Sequence, residues 1–152
     1  MIQYRIATQG DINLLIQIRL EMLKVVNNLE PDYQFSSDFI NNSKLYFDNG
    51  NQTTVLAYQD DMVIGCASIC YIHMMPTFDH PTGKRAHLMN VYTNIQYRRQ
   101  GIAYKMVNLL IEEAKMEGVT EISLDTTQSG RALYRKCGFV ESEECMVLTI
   151  RN

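Results

Sequence analysis

The sequence lacks the hydrophobic segments that membrane and secreted proteins carry. No run of about 18 apolar residues is present, so no transmembrane helix is predicted. Residues 1–5 show no basic start that leads into an apolar stretch and a small-residue cleavage site, so no signal peptide is predicted either. We therefore expect a cytoplasmic protein without a membrane partner.

Metal-binding and common nucleotide-binding signatures are also missing. The four cysteines, Cys66, Cys70, Cys137 and Cys145, form no CxxC pair of the kind that zinc sites need. They are predicted to be free thiols, and no metal is expected. No GxxxxGK[ST] sequence occurs, and no GxGxxG sequence follows the first strand, which argues against P-loop NTPases and dinucleotide-binding folds.

The chain has little excess charge of either sign. Its 14 Lys and Arg residues and 17 Asp and Glu residues give a net charge of −3. Nucleic-acid-binding domains usually carry a basic stripe, whereas the basic residues here are mostly dispersed, so no nucleic-acid partner is expected. A mildly acidic surface suits a cationic partner such as an amine.

The order of predicted elements indicates one α+β (mixed α/β) domain over residues 1–152. A chain of 152 residues fits one domain, and no repeat or linker interrupts it. Hydrophobic periodicity predicts a strand, two helices, three strands, a helix, a strand, a short helix and a last strand over residues 144–150. Hairpins followed by a βαβ unit favour a mixed sheet.

Arg19 falls in the apolar stripe of the first predicted helix. A charge on a buried face needs a partner or an anion. Arg19 is therefore either part of a structural ion pair or a substrate-binding side chain that lines a cleft.

The most informative stretch is residues 91–103, where a predicted strand runs through a tight turn into a strongly amphipathic helix. The first N–H groups of a helix lack internal acceptors, and the helix dipole adds partial positive charge there. Gly101 lets a ligand approach the backbone, and Arg98 and Arg99 stand beside these amides. The local chemistry suits a diphosphate, although two solvated arginines before an ordinary helix remain the alternative.

Two motifs resemble those of the GNAT superfamily of acetyl-CoA-dependent N-acetyltransferases. Arg98, Gly101 and Ala103 match the signature R/Q-x-x-G-x-G/A, and residues 130–139, GRALYRKCGF, are similar to the second motif A-x-x-L-Y-x-K-x-G-F. Both occur in the family's order and separation. The predicted element order is also similar to the family's over nearly all of the chain.

The resemblance implies a GNAT-like fold, with a central, mostly antiparallel twisted sheet of six to seven strands flanked by about four helices. It implies acetyl-CoA as cosubstrate, with the backbones of Val91 and Thr93 on the pantetheine arm. Thr127 stands where the family often has an asparagine that faces the same arm. The residues implied for the diphosphate are Arg98, Arg99, Gln100, Gly101, Ile102, Ala103 and Tyr104.

The resemblance also implies catalytic roles. Tyr134 matches the family's general acid, which returns a proton to the departing thiolate, although a buried packing tyrosine is the alternative. His87 falls near the position of a base glutamate in some members, and strand alternation places it on one face with Val91. A structural histidine is the other interpretation. Asp79 and His80 lie in a loop that we expect to overhang the acceptor cleft, as further base or amine-binding candidates.

The expected activity is therefore an acyltransferase that moves an acetyl group to a primary amine in a ternary complex, with a small-molecule acceptor as the leading hypothesis. Acetylation of a protein or peptide N-terminus or lysine is the alternative within the enzyme class. A non-catalytic acyl-CoA-binding regulatory module is the alternative outside it. The resemblance also makes a homodimer possible, since many members of the family are dimers.

Overall fold

The architecture comes from a computed structural model that describes residues 1–151, in which five strands form one sheet with helices on both faces. The strands are β1 (Ile2–Ile6), β2 (Gln52–Gln59), β3 (Met62–His73), β4 (Lys84–Thr93) and β5 (Glu121–Leu124). The helices are α1 (Ile12–Val26), α2 (Ser37–Asn49), α3 (Ile102–Met116) and α4 (Arg131–Lys136). The sheet order is β1-β2-β3-β4-β5; the first four strands are antiparallel, and β5 runs parallel to β4.

Two apolar clusters fix the helices to the sheet. On one face α3 buries a stripe that includes Met106, Val107 and Leu110, each fully inaccessible, in what we call the α3-side cluster. On the other face Leu15 and Met22 of α1 belong to the α1-side cluster. In the part of the chain described, no helix combines the length and hydrophobicity that crossing a membrane requires.

The predicted fold class is correct, but the predicted number of strands is wrong. Residues 1–151 form five strands instead of six to seven. The strand predicted over residues 144–150 is not formed, and residues 141–151 have no regular structure and are exposed. A strand exists only when a neighbour pairs its backbone groups, and this segment lies beside none.

A bulge in β4 changes which side chains share a face. The register between β3 and β4 shifts between Cys66 and Ser68, and Asn90 opposite adopts a positive φ of 60°. Val91 therefore packs in the α3-side cluster with Ala86 and Leu88. His87 lies between those two residues in the strand and so faces the other side, which corrects the expectation that it shares a face with Val91.

Candidate active site

The turn after β4 holds two residues in left-handed backbone conformations. Arg99 has φ of 65° and Gly101 has φ of 77°. The Arg98 Nε atom donates to the Thr93 carbonyl oxygen at 3.1 Å, which fixes this guanidinium against the end of β4. The turn contains the short 3₁₀ helix Ile95–Tyr97 and leads directly into α3 at Ile102.

The N-terminus of α3 presents free backbone donors at this turn. The first helical hydrogen bond runs from the Lys105 N–H to the Gly101 carbonyl at 3.0 Å, so the N–H groups of the three residues between have no intrahelical acceptor. A Cβ placed on Gly101 would meet no atom within 4 Å, so the space before the turn is open. Together with the exposed Arg98 and Arg99 side chains, these donors suit a diphosphate anion.

The sheet opens next to this turn because β4 and β5 separate. Their parallel pairing ends at Leu88 and Leu124, while β4 continues to Thr93. Within residues 1–151, no strand pairs with the β5-facing edge of β4 beyond Leu88. The buried Thr93 hydroxyl also lacks a hydrogen-bond partner among the described residues. An extended ligand with amide groups could pair with this edge as an added strand.

Tyr134 lies on α4 and packs against the α3-side cluster, with its ring edge-on to Phe139 at a centroid distance of 6.0 Å. Burial raises the pKa of the Tyr134 hydroxyl above its ordinary value, so this group stays protonated at neutral pH. Two residues further along, Lys136 Nζ lies 4.4 Å from the ring centroid of Tyr104, in the first turn of α3. This contact brings the second sequence motif next to the turn between β4 and α3 in space.

His87 lies where β4 and β5 begin to separate, in contact with two residues of the β5 segment. Its Nδ1 atom is 2.7 Å from Ser123 Oγ, and its Nε2 atom is 3.5 Å from Asp125 Oδ2. The imidazole is about one-quarter exposed, whereas the Asp125 side chain is almost fully exposed. A histidine held between a hydroxyl and a carboxylate can accept and release a proton.

Arg19 is half-buried on α1 and faces the bulge of β4. Its Nη1 atom donates to Asn90 Oδ1 at 3.0 Å, and Asn90 Nδ2 in turn donates to Ser68 Oγ at 3.3 Å. Ser68 Oγ lies 2.7 Å from Thr54 Oγ1, inside the protein. Within residues 1–151, no carboxylate lies within ion-pair distance of Arg19, so the structural ion pair is not formed.

The structure does not bring Asp79 and His80 to this cleft. His80 Nδ1 lies 2.9 Å from Thr120 Oγ1, and its Nε2 lies 3.3 Å from Glu121 Oε2. Glu121 is at the start of β5, whereas the opening lies beyond Leu124 at its end. The loop therefore closes the far end of the β4–β5 pair, and Asp79 is exposed there. The loop therefore lies away from the opening, and its expected position over the acceptor cleft stays a prediction.

Thr127 lies within the segment that connects β5 to α4, directly before the short 3₁₀ helix Gln128–Gly130. Its Oγ1 atom lies 3.0 Å from Ser129 Oγ, and its carbonyl accepts from the Gly130 N–H at 3.1 Å. This hydroxyl is therefore engaged in a local turn at the start of α4.

Sequence reasoning missed three residues of this region, which are Asn90, Ser123 and Asp125, and it gave no role to Lys136, which belongs to the second motif. Asparagine is enriched at positive φ, so Asn90 carried a weak signal for the bulge. Ser123 and Asp125 are identified only by contacts across the fold, since 36 residues separate His87 from Ser123.

Comparison with known proteins identifies, over most of the chain, the family that the two sequence motifs resemble. The sequence profile of the acetyltransferase (GNAT) family matches residues 20–139. The chain is 41% identical over 59 residues to a probable glucosamine 6-phosphate N-acetyltransferase 2 of Oryza sativa subsp. japonica, which is 39% of the chain and 36% of that protein. It is 29% identical over 113 residues to human N-acetyltransferase 8, which is 71% of the chain and 47% of that protein. The matches thus span less than half the length of these curated relatives.

Solved structures of other proteins have the same fold over nearly the whole length of this chain. A predicted acetyltransferase of Clostridium acetobutylicum, crystallised with acetyl-CoA, has a TM-score of 0.86 and 31% identity over 98% of this chain and 96% of that one. A GCN5-related N-acetyltransferase of Ralstonia eutropha JMP134 has a TM-score of 0.80 at 18% identity and shares the fold. With the matching profile and the phosphate turn at the end of β4, these similarities establish that the chain belongs to the GNAT family of acetyltransferases.

Proposed function

We propose that this protein transfers the acetyl group of acetyl-CoA to the primary amine of a small molecule, by direct transfer in a ternary complex. The observation that carries the proposal is the unpaired edge of β4, which leads directly into the open, positively charged turn at Gly101. A ligand with an extended arm that ends in a diphosphate fits both features, with the arm along the edge of β4 and the diphosphate at the turn. Acetyl-CoA supplies the activated acetyl group when it is bound.

The residues that would hold acetyl-CoA follow from this arrangement. The backbones of Val91 and Thr93 would pair with the pantetheine arm along the free edge of β4. The N–H groups and guanidinium groups of the turn would bind the diphosphate, and the residues concerned are Arg98, Arg99, Gln100, Gly101, Ile102, Ala103 and Tyr104. Thr127 would lie beside the arm only through its backbone, because its hydroxyl bonds to Ser129.

Two side chains would move the protons of the reaction. His87 would accept a proton from the acceptor ammonium through Nε2, directly or through water, while Ser123 orients its ring through Nδ1. The Asp125 carboxylate, 3.5 Å from Nε2, would then stabilise the imidazolium that forms. Tyr134 would donate its hydroxyl proton to the departing thiolate. Because burial raises its pKa, this phenol carries its proton throughout the neutral range, so the proton is present to be donated.

The acceptor would bind on the α1 side of the sheet, against Arg19. A half-buried guanidinium that has an amide partner but no carboxylate partner within residues 1–151 is suited to an anionic group. We therefore propose an acceptor that carries a carboxylate or phosphate besides its amine. The name of the rice relative, which specifies a phosphorylated amino sugar, supports this class of acceptor.

Calorimetry of acetyl-CoA binding tests the proposal, with Arg98→Ala/Gly101→Glu as the variant. The new carboxylate would stand in the open space before the turn and repel a diphosphate, so binding should be lost while the circular dichroism spectrum is unchanged. Gly118→Glu is the matched control, because Gly118 also has a positive φ, of 82°, and lies at the opposite end of α3. The control should bind as the wild type does; no binding by the wild type, or equal binding by the double variant, would contradict the proposal.

A screen of amines with thiol release as the readout then tests the acceptor class. Amines that carry a carboxylate or phosphate should be preferred, and Arg19→Met should remove this preference without changing acetyl-CoA binding. A preference for neutral amines would contradict the role of Arg19, whereas activity only on peptides would contradict the small-molecule acceptor.

A further inference from the structure

A chain of hydrogen bonds between side chains crosses three strands on the α1 side of the sheet and ends at Arg19. The side chains that form it are Gln52 and Thr54 of β2, Ser68 of β3 and Asn90 of β4. Thr54 and Ser68 lie opposite each other in the β2–β3 pair and are only 1% and 4% exposed. Buried hydroxyls destabilise a core unless they are paired. Because small apolar side chains would fill the same space, the polar chain indicates a role other than packing.

The donors and acceptors of this chain can be arranged in only one direction. Arginine carries donors only, so the Asn90 atom that lies 3.0 Å from Arg19 Nη1 is the amide oxygen Oδ1. The Asn90 Nδ2 group then donates to Ser68 Oγ at 3.3 Å, and the Ser68 hydroxyl donates to Thr54 Oγ1 at 2.7 Å. The Thr54 hydroxyl in turn donates to Gln52 Oε1 at 2.6 Å. Each of these bonds keeps the Asn90 amide in the orientation that directs its oxygen to Arg19.

The backbone of Asn90 is fixed as well. Its φ of 60° belongs to the left-handed region, which asparagine tolerates better than most residues, and it lies at the register shift between β3 and β4. The Cys66 thiol, on the neighbouring strand, donates to the Asn90 carbonyl oxygen at 3.4 Å. Asn90 is therefore held at its backbone and at both polar atoms of its side chain, which gives Oδ1 a defined position opposite α1.

This arrangement orients the Arg19 guanidinium without neutralising it. A free arginine side chain loses rotational freedom when it binds an anion, whereas a side chain that is already held loses less. The amide oxygen of Asn90 is uncharged, so it fixes Nη1 and leaves the positive charge in place. A carboxylate at the same position would form an ion pair and compete with an anionic ligand, and within residues 1–151 no carboxylate pairs with Arg19. The guanidinium is thus both oriented and charged, which favours the binding of an anionic group.

We propose that Thr54, Ser68 and Asn90 are positioning residues for acceptor selection, because their hydrogen bonds hold Arg19 in the orientation that binds the anionic group of the acceptor. This role rests on the proposed function, which places the anion site at Arg19. Thr54 and Ser68 are buried, so the acceptor does not reach them, and their effect on selection passes through Asn90 and Arg19. Removal of a buried hydroxyl should therefore weaken the preference for anionic amines and leave acetyl-CoA binding and the reaction with neutral amines unchanged.

Steady-state kinetics with glucosamine 6-phosphate and glucosamine, which differ only in the phosphate, test this role. The measured quantity is the ratio of the two kcat/KM values. Thr54→Val removes one hydroxyl and keeps the shape of the side chain, and it should lower the ratio about three- to tenfold. Asn90→Gly, which retains the positive φ, should lower it about tenfold or more. Thr53→Val is the matched control and should leave the ratio unchanged, because the Thr53 hydroxyl lies 3.3 Å from the Tyr71 hydroxyl and outside the chain of bonds.

A loss of folded enzyme does not imitate this result, since fewer active molecules lower both kcat/KM values by the same factor. Arg19→Met should lower the ratio at least as far as Thr54→Val, and the double variant should lower it no further than Arg19→Met alone, because the hydroxyl acts only through Arg19.

Three results would overturn the positioning role and leave the proposed function intact. The first is an unchanged ratio in Thr54→Val and Asn90→Gly while Arg19→Met lowers it, the second is an equal loss in the Thr53→Val control, and the third is a further loss in the double variant. A wild type that does not prefer the phosphorylated amine, or an Arg19→Met variant that keeps the preference, would overturn the positioning role together with the proposed acceptor class.

Discussion

At the scale of single residues, the site depends on how the protein environment changes ordinary side-chain chemistry. Tyr134 is a phenol whose pKa burial moves upward, which keeps the proton on the oxygen. Cys137, three residues later, experiences the same effect: burial raises the pKa of its thiol, so the thiolate that a nucleophile would need is disfavoured. The same half-buried environment therefore keeps the proton on Tyr134 and opposes a nucleophilic role for Cys137.

Tyr134→Phe tests the proton donor. The ring and its contact with Phe139 are retained, so only the hydroxyl is lost, and we expect kcat to fall about 10²- to 10⁴-fold with the KM for acetyl-CoA unchanged. Since the pKa is raised above 10, the wild-type rate should show no loss from Tyr134 ionisation below about pH 10. Tyr71→Phe is the control, as burial also raises the pKa of Tyr71, on β3. Equal losses in both variants, measured by steady-state kinetics, would assign Tyr134 to packing.

The turn between β4 and α3 could be predicted at this scale, whereas the partners of His87 could not. Gly101 and Arg98 lie within a few residues of each other, so a short sequence motif is enough to locate the turn that they form. Ser123 and Asp125 reach His87 only because β5 pairs with β4 in one register. The positive φ of Asn90 then reverses the alternation that placed His87 with Val91, and one asparagine in a strand is too weak a signal to locate a bulge.

At the scale of elements, helices were predictable and strands only in part. Both α1 and α3 follow from apolar spacing along the chain, because a helix satisfies its own backbone. The pattern over residues 144–150 is just as strand-like, yet it forms no strand within residues 1–151. A strand requires a neighbour, and the local sequence does not state which segment of the fold supplies it.

The β4–β5 pair allows a matched comparison of two histidines, because one histidine lies at each end of the pair. His87 bonds to Ser123 near the opening, whereas His80 bonds to Thr120 at the closed end. His87→Ala should lower the rate about 10²-fold or more, with partial recovery when imidazole is added as an external base. His80→Ala should leave the rate within about twofold of the wild type.

Steady-state assays with and without imidazole measure both variants. A loss in His87→Ala that imidazole does not restore, together with a lower thermal stability, would indicate that the residue holds β4 to β5 and transfers no proton. A rate loss of the same size in His80→Ala would indicate that the acceptor binds at the closed end of the β4–β5 pair, which would contradict the proposed role of His87.

At the scale of the whole molecule, the proposed cofactor turn belongs to the core. It begins α3, whose Ile102, Met106 and Leu110 are buried against the sheet. An anion bound at the first turn of this helix therefore interacts with a structure that the unfolded chain does not contain. A ligand that binds only the folded state must stabilise the entire cooperative unit.

Acetyl-CoA at one hundred times its Kd should therefore stabilise the protein by about 2.7 kcal/mol, which raises the Tm by roughly 5–10 °C for a chain of this size. Arg98→Ala/Gly101→Glu should show no ligand-dependent shift, and Gly118→Glu, at the far end of α3, should keep it. Differential scanning calorimetry over a series of ligand concentrations, at constant protein concentration, measures the effect. If calorimetric binding is tight but the Tm does not move, the site lies on a segment that opens before the core unfolds. In that case the turn at Gly101, which is continuous with the buried helix, would not be the place where acetyl-CoA binds.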